Sequence, residues 1–238
     1  MNASVSRRRF LTMAAAAGAF LPMRAPAGTP PKESGLSSEG LLAHRPGFQP
    51  RTTMPLPYQE LPDFLSRDQL AAHHEAYASA VERLKAADAS LNAAPADASR
   101  YAELRRVQVE AANSVLLHEF YFGGLSAQKV APPRHIENNM AEHMGPWQSW
   151  RDDFTRCALA AKAWAVLVYD PYDDRWHDAI MDSDNDGVWV GANPLVVCDV
   201  AEHAFSRDYR SREEYVAKFL DHIDWNEVSR RYKSVDRM

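Results

Sequence analysis

The sequence predicts an α+β protein, with an N-terminal hairpin of two long helices and a C-terminal domain in which helices surround a three-stranded antiparallel sheet. Apolar residues recur at helical spacing between residues 66 and 122, with one break. From residue 163 onward they form short runs separated by turn residues, which is the pattern of strands. Three strands followed by a helix are typical of an α+β domain with an antiparallel sheet.

The composition is that of one ordinary globular protein. The chain has 238 residues, 46% of them apolar and 25% charged, which is enough to bury a core. Its formal net charge is −5, so neither a nucleic acid nor an anionic membrane is an expected partner. The two cysteines, Cys157 and Cys198, lie in apolar surroundings and predict two buried thiols instead of a disulfide or a zinc site.

Residues 1–27 have the pattern of a twin-arginine signal peptide. Consecutive arginines in residues 6–11 precede an apolar run at 13–23 and an A-x-A cleavage site at 25–27. The sequence therefore predicts a periplasmic protein that is exported in the folded state. The alternative is a retained amphipathic anchor, since the apolar run is too short to span a bilayer. Cleavage would remove four arginines and no acidic residue, which makes the mature chain more acidic.

Residues 28–58 are predicted to form a linker and an extended arm. They are rich in Pro, Gly and Ser and lack an apolar period. Two structured domains follow, the helical hairpin at 59–130 and the α+β domain at 131–238.

The first long helix is predicted to begin after Ser66, with Ser66 as N-cap and Gln69 in the capping-box position. His73 lies on its apolar stripe, which makes this side chain a candidate for a buried site. His74 remains the alternative, because the choice depends on the helix register. The apolar members of the stripe are Leu70, Tyr77, Val81 and Leu84.

The second long helix is predicted at residues 100–122 and carries His118 on its apolar face. A single histidine on such a face is more often structural than a ligand. The apolar residues of this face are Leu104, Val107, Ala111 and Val115. Two further helices are predicted at 135–145 and 147–161.

Three strands are predicted at 163–170, 175–181 and 195–199. The third strand ends at Asp199, and His203 follows four residues later, where a helix is expected to begin. Residues at this spacing share a helix face, and a carboxylate beside an imidazole is a typical ligand pair for a first-row metal. The alternative is that Asp199 only caps the helix and His203 is a structural histidine.

Residues 194–205, together with 208–209 and 224–232, resemble the C-terminal signature of the iron/manganese superoxide dismutases. Residues 55–62 and 117–125 are similar to the N-terminal arm and the second ligand segment of that family. The resemblance implies one iron or manganese ion per subunit. It also implies that the metal ligands are His73, His118, Asp199 and His203.

The same resemblance implies disproportionation of superoxide to dioxygen and hydrogen peroxide. Trp164 corresponds to a tryptophan that lines the metal pocket, and Tyr121 belongs to the aromatic residues that close it. Glu202 matches a glutamate that reaches across a two-fold interface, which implies a homodimer. Trp164, Tyr121 and Glu202 are therefore the predicted catalytic residues.

Several positions around the expected metal depart from the family pattern. The gateway tyrosine falls near Ala80 or Val81, and the two alternative glutamine positions fall near Asp184 and at Ser114. A tryptophan and an interface tyrosine are replaced by Ala201 and Ser206. The candidates to replace the missing groups are Asn113, Tyr121 and His177. These departures leave two functions open, a superoxide dismutase or a noncatalytic metal-binding protein of the same fold, and they leave iron against manganese undecided.

Residues 182–187 match the opening of a calcium-binding loop, with acidic residues at alternate positions and a glycine sixth. Asn193 occupies the twelfth position, where such a loop needs a bidentate glutamate. A solvated turn is therefore the favoured interpretation over calcium binding.

Overall fold

The computed structural model describes residues 48–93 and 97–235 and confirms the α+β class. The predicted signal peptide and most of the linker lie outside the described residues. Four helices precede the sheet: α1 (Arg67–Asn92), α2 (Ala98–Gly123), α3 (Arg134–His143) and α4 (Trp147–Ala160). The strands are β1 (Trp164–Asp170), β2 (Arg175–Met181) and β3 (Asn193–Asp199). A 3-10 turn (Glu202–Ala204) and the helices α5 (Arg212–Asp221) and α6 (Trp225–Val235) follow.

Helix α1 begins at the predicted N-cap, where the Ser66 hydroxyl accepts a hydrogen bond from the Gln69 amide at 3.1 Å. The second half of the predicted capping box is wrong, because the Gln69 side chain bonds to the backbone of His203 and Arg207. The Asp208 carboxylate instead accepts a hydrogen bond from the Ser66 backbone N–H at 2.6 Å and a second one from the Ser66 hydroxyl at 2.7 Å. A residue distant in sequence thus completes the cap.

Helices α1 and α2 run antiparallel, as predicted for the hairpin. Tyr77 of α1 bonds to Glu119 of α2, and Arg83, farther along α1, bonds to Glu110, which lies earlier in α2. The predicted stripe of α1 is buried throughout, and that of α2 is buried except for Val107, which is 37% exposed. Asp97 caps α2 through the Arg100 amide, so this helix begins two residues earlier than predicted.

The sheet has the order β2-β1-β3 and both pairs are antiparallel. Every residue of the central strand β1 is buried, which explains its continuous apolar run. Strand β3 begins at Asn193, two residues before the prediction, because a register shift lets it pair with β1 past Pro194. In this register Trp164 lies opposite Asp199, at one end of the sheet.

A buried arginine on α6 connects the helical hairpin to the sheet. Arg231 is 1% exposed and donates to the backbone carbonyls of Phe120 and Leu195, both at 2.8 Å. Glu227, also buried, balances its charge. A Cβ on Gly124 would lie 2.9 Å from the Phe120 carbonyl oxygen and 3.2 Å from Arg231, so only glycine fits at the end of α2.

Both cysteines are free thiols; Cys198 is buried as predicted, whereas Cys157 is only half-buried. Within residues 48–93 and 97–235, none of the helices combines the length and the apolar character needed to cross a bilayer.

Asp178 on β2 makes the stability of the folded state depend on pH. Burial raises the pKa of its carboxyl to about 8, a hydrogen bond from Trp150 opposes the rise, and Asp153 adds to it. The folded state therefore keeps a proton that the unfolded chain loses near pH 4, so this group lowers stability as the pH rises from about 4 to about 8.

We expect Asp178→Asn to raise the free energy of unfolding by about 1–2 kcal/mol at pH 8 and to change it little at pH 4. The asparagine oxygen can still accept from Trp150 but cannot ionise. Urea denaturation at both pH values measures the difference, with the exposed Asp152→Asn as the control for loss of a surface charge. An equal gain at both pH values would contradict this explanation.

Candidate metal centre

Four side chains from four separate elements converge at the end of the sheet. His73 comes from α1, His118 from α2, Asp199 from the last position of β3, and His203 from the 3-10 turn. Each offers one ligand atom, and these atoms all lie within 4.8 Å of one another. The structure therefore brings together the four residues that were predicted as ligands.

The local geometry of Asp199 and His203 differs from the prediction. They do not share a helix face, because Asp199 ends a strand and His203 lies in a 3-10 helix of three residues. The Asp199 carboxylate accepts from the Ala201 backbone N–H at 2.9 Å, and this bond turns the chain directly after the strand. The spacing of four residues brings the side chains together through a turn.

The Asp199 carboxylate is the centre of the cluster. Its Oδ2 atom lies 2.9 Å from His73 Nε2, 3.0 Å from His203 Nε2 and 3.9 Å from His118 Nε2. The side chains of Asp199 and His73 are fully buried, whereas that of His203 is 43% exposed. The cluster is thus buried except at His203, where it reaches solvent.

The orientation of His118 suits a metal ligand. Its Nδ1 atom donates to the Ser114 backbone carbonyl at 2.7 Å, which leaves Nε2 with a free lone pair. This Nε2 atom is buried and has no hydrogen-bond partner within the described part of the chain. Buried polar atoms are nearly always bonded, so the exception has the character of a ligand position.

The protonation equilibria favour a ligand set of neutral imidazoles and one carboxylate. Burial lowers the pKa of His73, and burial together with the neighbouring His73 lowers the pKa of His118 to about 3. Burial alone would raise the pKa of Asp199, but hydrogen bonds from His203 and His73 hold it below its usual value. Burial would lower the pKa of His203, yet its bond to Asp199 raises it. A metal would displace these shared protons.

Aromatic rings enclose the candidate ligands. The centroid of the Tyr121 ring lies 4.7 Å from that of His73, and the centroid of Trp164 lies 5.0 Å from that of His118 in an edge-on contact. Tyr121 accepts a hydrogen bond from the Tyr215 hydroxyl at 3.1 Å, and Trp164 Nε1 donates to Asp184 at 2.8 Å. Both predicted pocket residues therefore contact ligand histidines. Glu202, next to His203, has an exposed side chain.

A buried polar cluster that the sequence did not reveal joins the N-terminal arm to the helical hairpin. Glu119, directly after His118, accepts from the Tyr77 hydroxyl at 2.8 Å and forms an ion pair with Arg51 of the arm at 3.0 Å. Burial and the Glu119 charge raise the pKa of Tyr77, so its hydroxyl stays protonated. Arg51 lies in a segment without an apolar period, and no pattern there indicated a buried charge.

His74 bonds to the arm instead of joining the cluster. Its Nε2 atom donates to the Met54 backbone carbonyl at 2.7 Å, while the Met54 N–H donates to Tyr77. Helix α1 is regular from Arg67 to Asn92, and His73 lies on its buried stripe. The geometry therefore favours His73 over the alternative His74.

The positions where the family pattern has its gateway tyrosine hold no polar group in this chain, because Ala80 and Val81 are buried apolar residues. Among the suggested replacements, Tyr121 contacts His73, whereas Asn113 donates to Asn185 and His177 bonds to Asp173 in the β1–β2 turn.

Residues 182–187 form a turn that uses its acidic side chains within the protein. Asp182 forms an ion pair with Lys162 at 2.7 Å, and Asp184 accepts from Trp164. Among residues 48–93 and 97–235, the one group of His, Cys, Asp or Glu side chains with converging ligand atoms is the His/Asp cluster. The solvated turn thus remains the favoured interpretation of this loop.

Comparison with known proteins agrees with this geometry. A family model described as iron/manganese superoxide dismutases, C-terminal domain, matches residues 132–231. Superoxide dismutase [Fe] of Methanothermobacter marburgensis is 30% identical over 192 residues, which cover 75% of this chain and 93% of the relative. Superoxide dismutase [Mn] 2 of Haloferax volcanii is 28% identical over 186 residues, which cover 75% of this chain and 94% of the relative. With this sequence similarity along most of its length, the chain belongs to the iron/manganese superoxide dismutase family.

Proposed function

We propose that this protein is a superoxide dismutase that converts two superoxide ions and two protons into dioxygen and hydrogen peroxide at one iron or manganese ion per subunit. The observation that carries the proposal is the convergence of three imidazole nitrogens and one buried carboxylate oxygen within 4.8 Å. Nitrogen and oxygen ligands in this number suit a first-row metal that keeps a position open.

His73, His118, Asp199 and His203 would hold the metal, which supplies one-electron redox chemistry when bound. The Asp199 carboxylate contributes negative charge, which favours the more oxidised ion. The Ser114 carbonyl fixes the ring of His118, and Tyr121 packs on His73, so both imidazoles are oriented before the metal binds.

The enclosure of the site determines how substrate would reach it. The side chains of His73 and His118 are at most 4% exposed, whereas His203 reaches solvent. A small anion such as superoxide would therefore approach from the His203 side. The aromatic walls exclude bulk water from the remaining sides, which strengthens electrostatic attraction to a bound cation.

A second function, metal binding without turnover, is favoured by two departures from the family pattern. The site lacks a tyrosine at Ala80 and Val81, and Asp184 presents a carboxylate where the family has an amide that can donate a hydrogen bond. Its Oδ1 atom accepts from Trp164, so the local hydrogen-bond pattern differs from that of an amide. Such groups tune a bound metal, and their replacement can remove activity while the ligands persist.

We expect the purified protein to contain iron or manganese in an amount close to one ion per chain and to accelerate superoxide decay. His203→Ala removes a ligand, so we expect it to lower superoxide decay by at least about 100-fold and to weaken metal retention. Metal analysis and a superoxide-decay assay on the same sample measure both. His135→Ala, which removes a histidine that bonds to Ser229, is the matched control. A wild-type protein that binds metal but does not accelerate superoxide decay would contradict the proposed dismutase activity and favour the noncatalytic function.

We further propose that the protein forms a homodimer through the surface around His203 and Glu202. Both side chains are exposed in the single chain, so a second copy could contact this surface at the rim of the site.

We expect Glu202→Arg to shift the protein from dimer to monomer, because it places an opposite charge at this surface. Sedimentation velocity at several concentrations measures the shift, with Glu103→Arg on the exposed side of α2 as the control. A wild-type monomer at all concentrations, or an unchanged dimer in the Glu202 variant, would contradict this interface.

We also propose export to the periplasm by the twin-arginine route, on the basis of residues 1–27. This route carries folded proteins, so the metal would be acquired in the cytoplasm before export. We expect the double substitution Arg7→Lys and Arg8→Lys to retain the protein in the cytoplasm, as measured by cell fractionation, whereas Arg24→Lys should be exported normally. Export of the double variant would contradict the proposed route.

A further inference from the structure

Gln69 connects the first turn of α1 to the segment that carries His203. It lies four residues before His73, so the two side chains occupy the same helix face one turn apart. Gln69 is fully buried. Its Nε2 atom donates to the His203 backbone carbonyl at 2.7 Å, and its Oε1 atom accepts from the Arg207 N–H at 2.9 Å. One side-chain amide thus bonds at two points to a segment more than 130 residues away in sequence.

His203 needs such support more than the other candidate ligands. His73 and His118 lie within helices of 26 residues each, and Asp199 ends a strand that pairs with the buried β1. His203 lies in a 3-10 helix of three residues and has the most exposed side chain of the four. Local backbone bonds, such as that from Phe205 to Glu202, shape this turn but do not attach it to α1.

The bonds of Gln69 require a neutral amide. One end must donate to a carbonyl and the other must accept from an N–H, and the Gln69 side chain that does both is fully buried. A glutamate could accept from Arg207 but could not donate to His203, and a leucine could do neither. The Asp208 carboxylate, bonded to Ser66 at the same end of α1, adds a second attachment farther along the segment.

We propose that Gln69 is a positioning residue of the metal centre, which fixes the backbone of His203 relative to His73 so that both imidazoles meet the same ion. This inference rests on the proposed metal-binding function. Gln69 acts through the His203 backbone and contacts neither the metal nor the substrate.

The test compares Gln69→Leu and Gln69→Glu with Gln108→Leu. Gln108 is a matched control, because it is 3% exposed and bonds to Asp88 and Arg105 on the helical hairpin, away from the four candidate ligands. Chelator competition measures the affinity for Mn²⁺, and hydrogen exchange of the Arg207 amide in the metal-free protein reports on the bond itself.

We expect both Gln69 variants to lose about 10- to 100-fold in Mn²⁺ affinity, whereas Gln108→Leu keeps the wild-type affinity. Arg207 should exchange faster in Gln69→Leu and stay protected in Gln69→Glu, since the carboxylate still accepts from its N–H. A merely structural role would lower the melting temperature of the Gln69 and Gln108 variants alike and leave the metal affinity unchanged.

Wild-type affinity in both Gln69 variants, or an equal loss in Gln108→Leu, would overturn the inference. If Gln69→Leu does not fold, Gln69→Glu decides the question, because it retains one of the two bonds. A wild-type protein that binds no Mn²⁺ or iron would instead overturn the proposed function, and the role of Gln69 toward the ion with it.

Discussion

The burial of one carboxylate, that of Asp199, constrains the rest of the site. An ionised carboxylate without compensation costs several kcal/mol in a protein interior. Here the Asp199 oxygens accept from the Ala201 N–H and lie within hydrogen-bond distance of His73 and His203. These partners come from α1 and from the turn after β3, so the carboxylate links elements that are distant in sequence. The same negative charge and neutral imidazoles make the cluster suitable for a cation.

Two buried ion pairs support this arrangement. Arg231 on α6, paired with Glu227, donates to backbone carbonyls of α2 and β3, the elements that carry His118 and Asp199. Arg51 and Glu119 connect the N-terminal arm to α2, directly beside His118. Buried ion pairs add little net stability compared with apolar packing, but breaking one leaves an uncompensated charge. They therefore favour one arrangement of the helical hairpin and the sheet over alternatives with the same apolar contacts.

The four candidate ligands implied by the family resemblance converge in this chain, while residues at several surrounding positions depart from the family pattern. Val81 and Ala80 are apolar, and Asp184 bonds to Trp164 through a carboxylate. Because ligands determine whether a metal binds and their neighbours determine its potential and the pKa of bound solvent, the two properties can vary independently. The converging ligand cluster supports metal binding directly, whereas catalysis also depends on the groups around it, of which Tyr121 contacts His73 and Asp184 accepts from Trp164.

The sequence by itself determined the fold class, the two long helices and the three strands, and its family resemblance implied the candidate ligands, with His73 against His74 left open. Helical and strand periods are local properties, so Ser66 as N-cap and the buried stripe around His73 followed from them. The C-terminal motif identified Asp199 and His203, although their geometry is a strand end followed by a 3-10 turn. The ends of the elements depend on tertiary pairing as well as on local sequence. Strand β3, for example, begins two residues earlier than predicted, because it pairs with β1 past Pro194.

Only the tertiary structure decided the contacts between distant segments. Gln69 has the position of a capping-box residue, but its partners are His203 and Arg207, and Asp208 completes the cap in its place. Arg51 lies in a segment without a pattern, yet it pairs with the buried Glu119. The choice between His73 and His74 likewise required the packing of the arm, because neighbouring helix positions differ only in what lies opposite them. Such partners depend on which elements approach in space, and local periodicity carries no information about that.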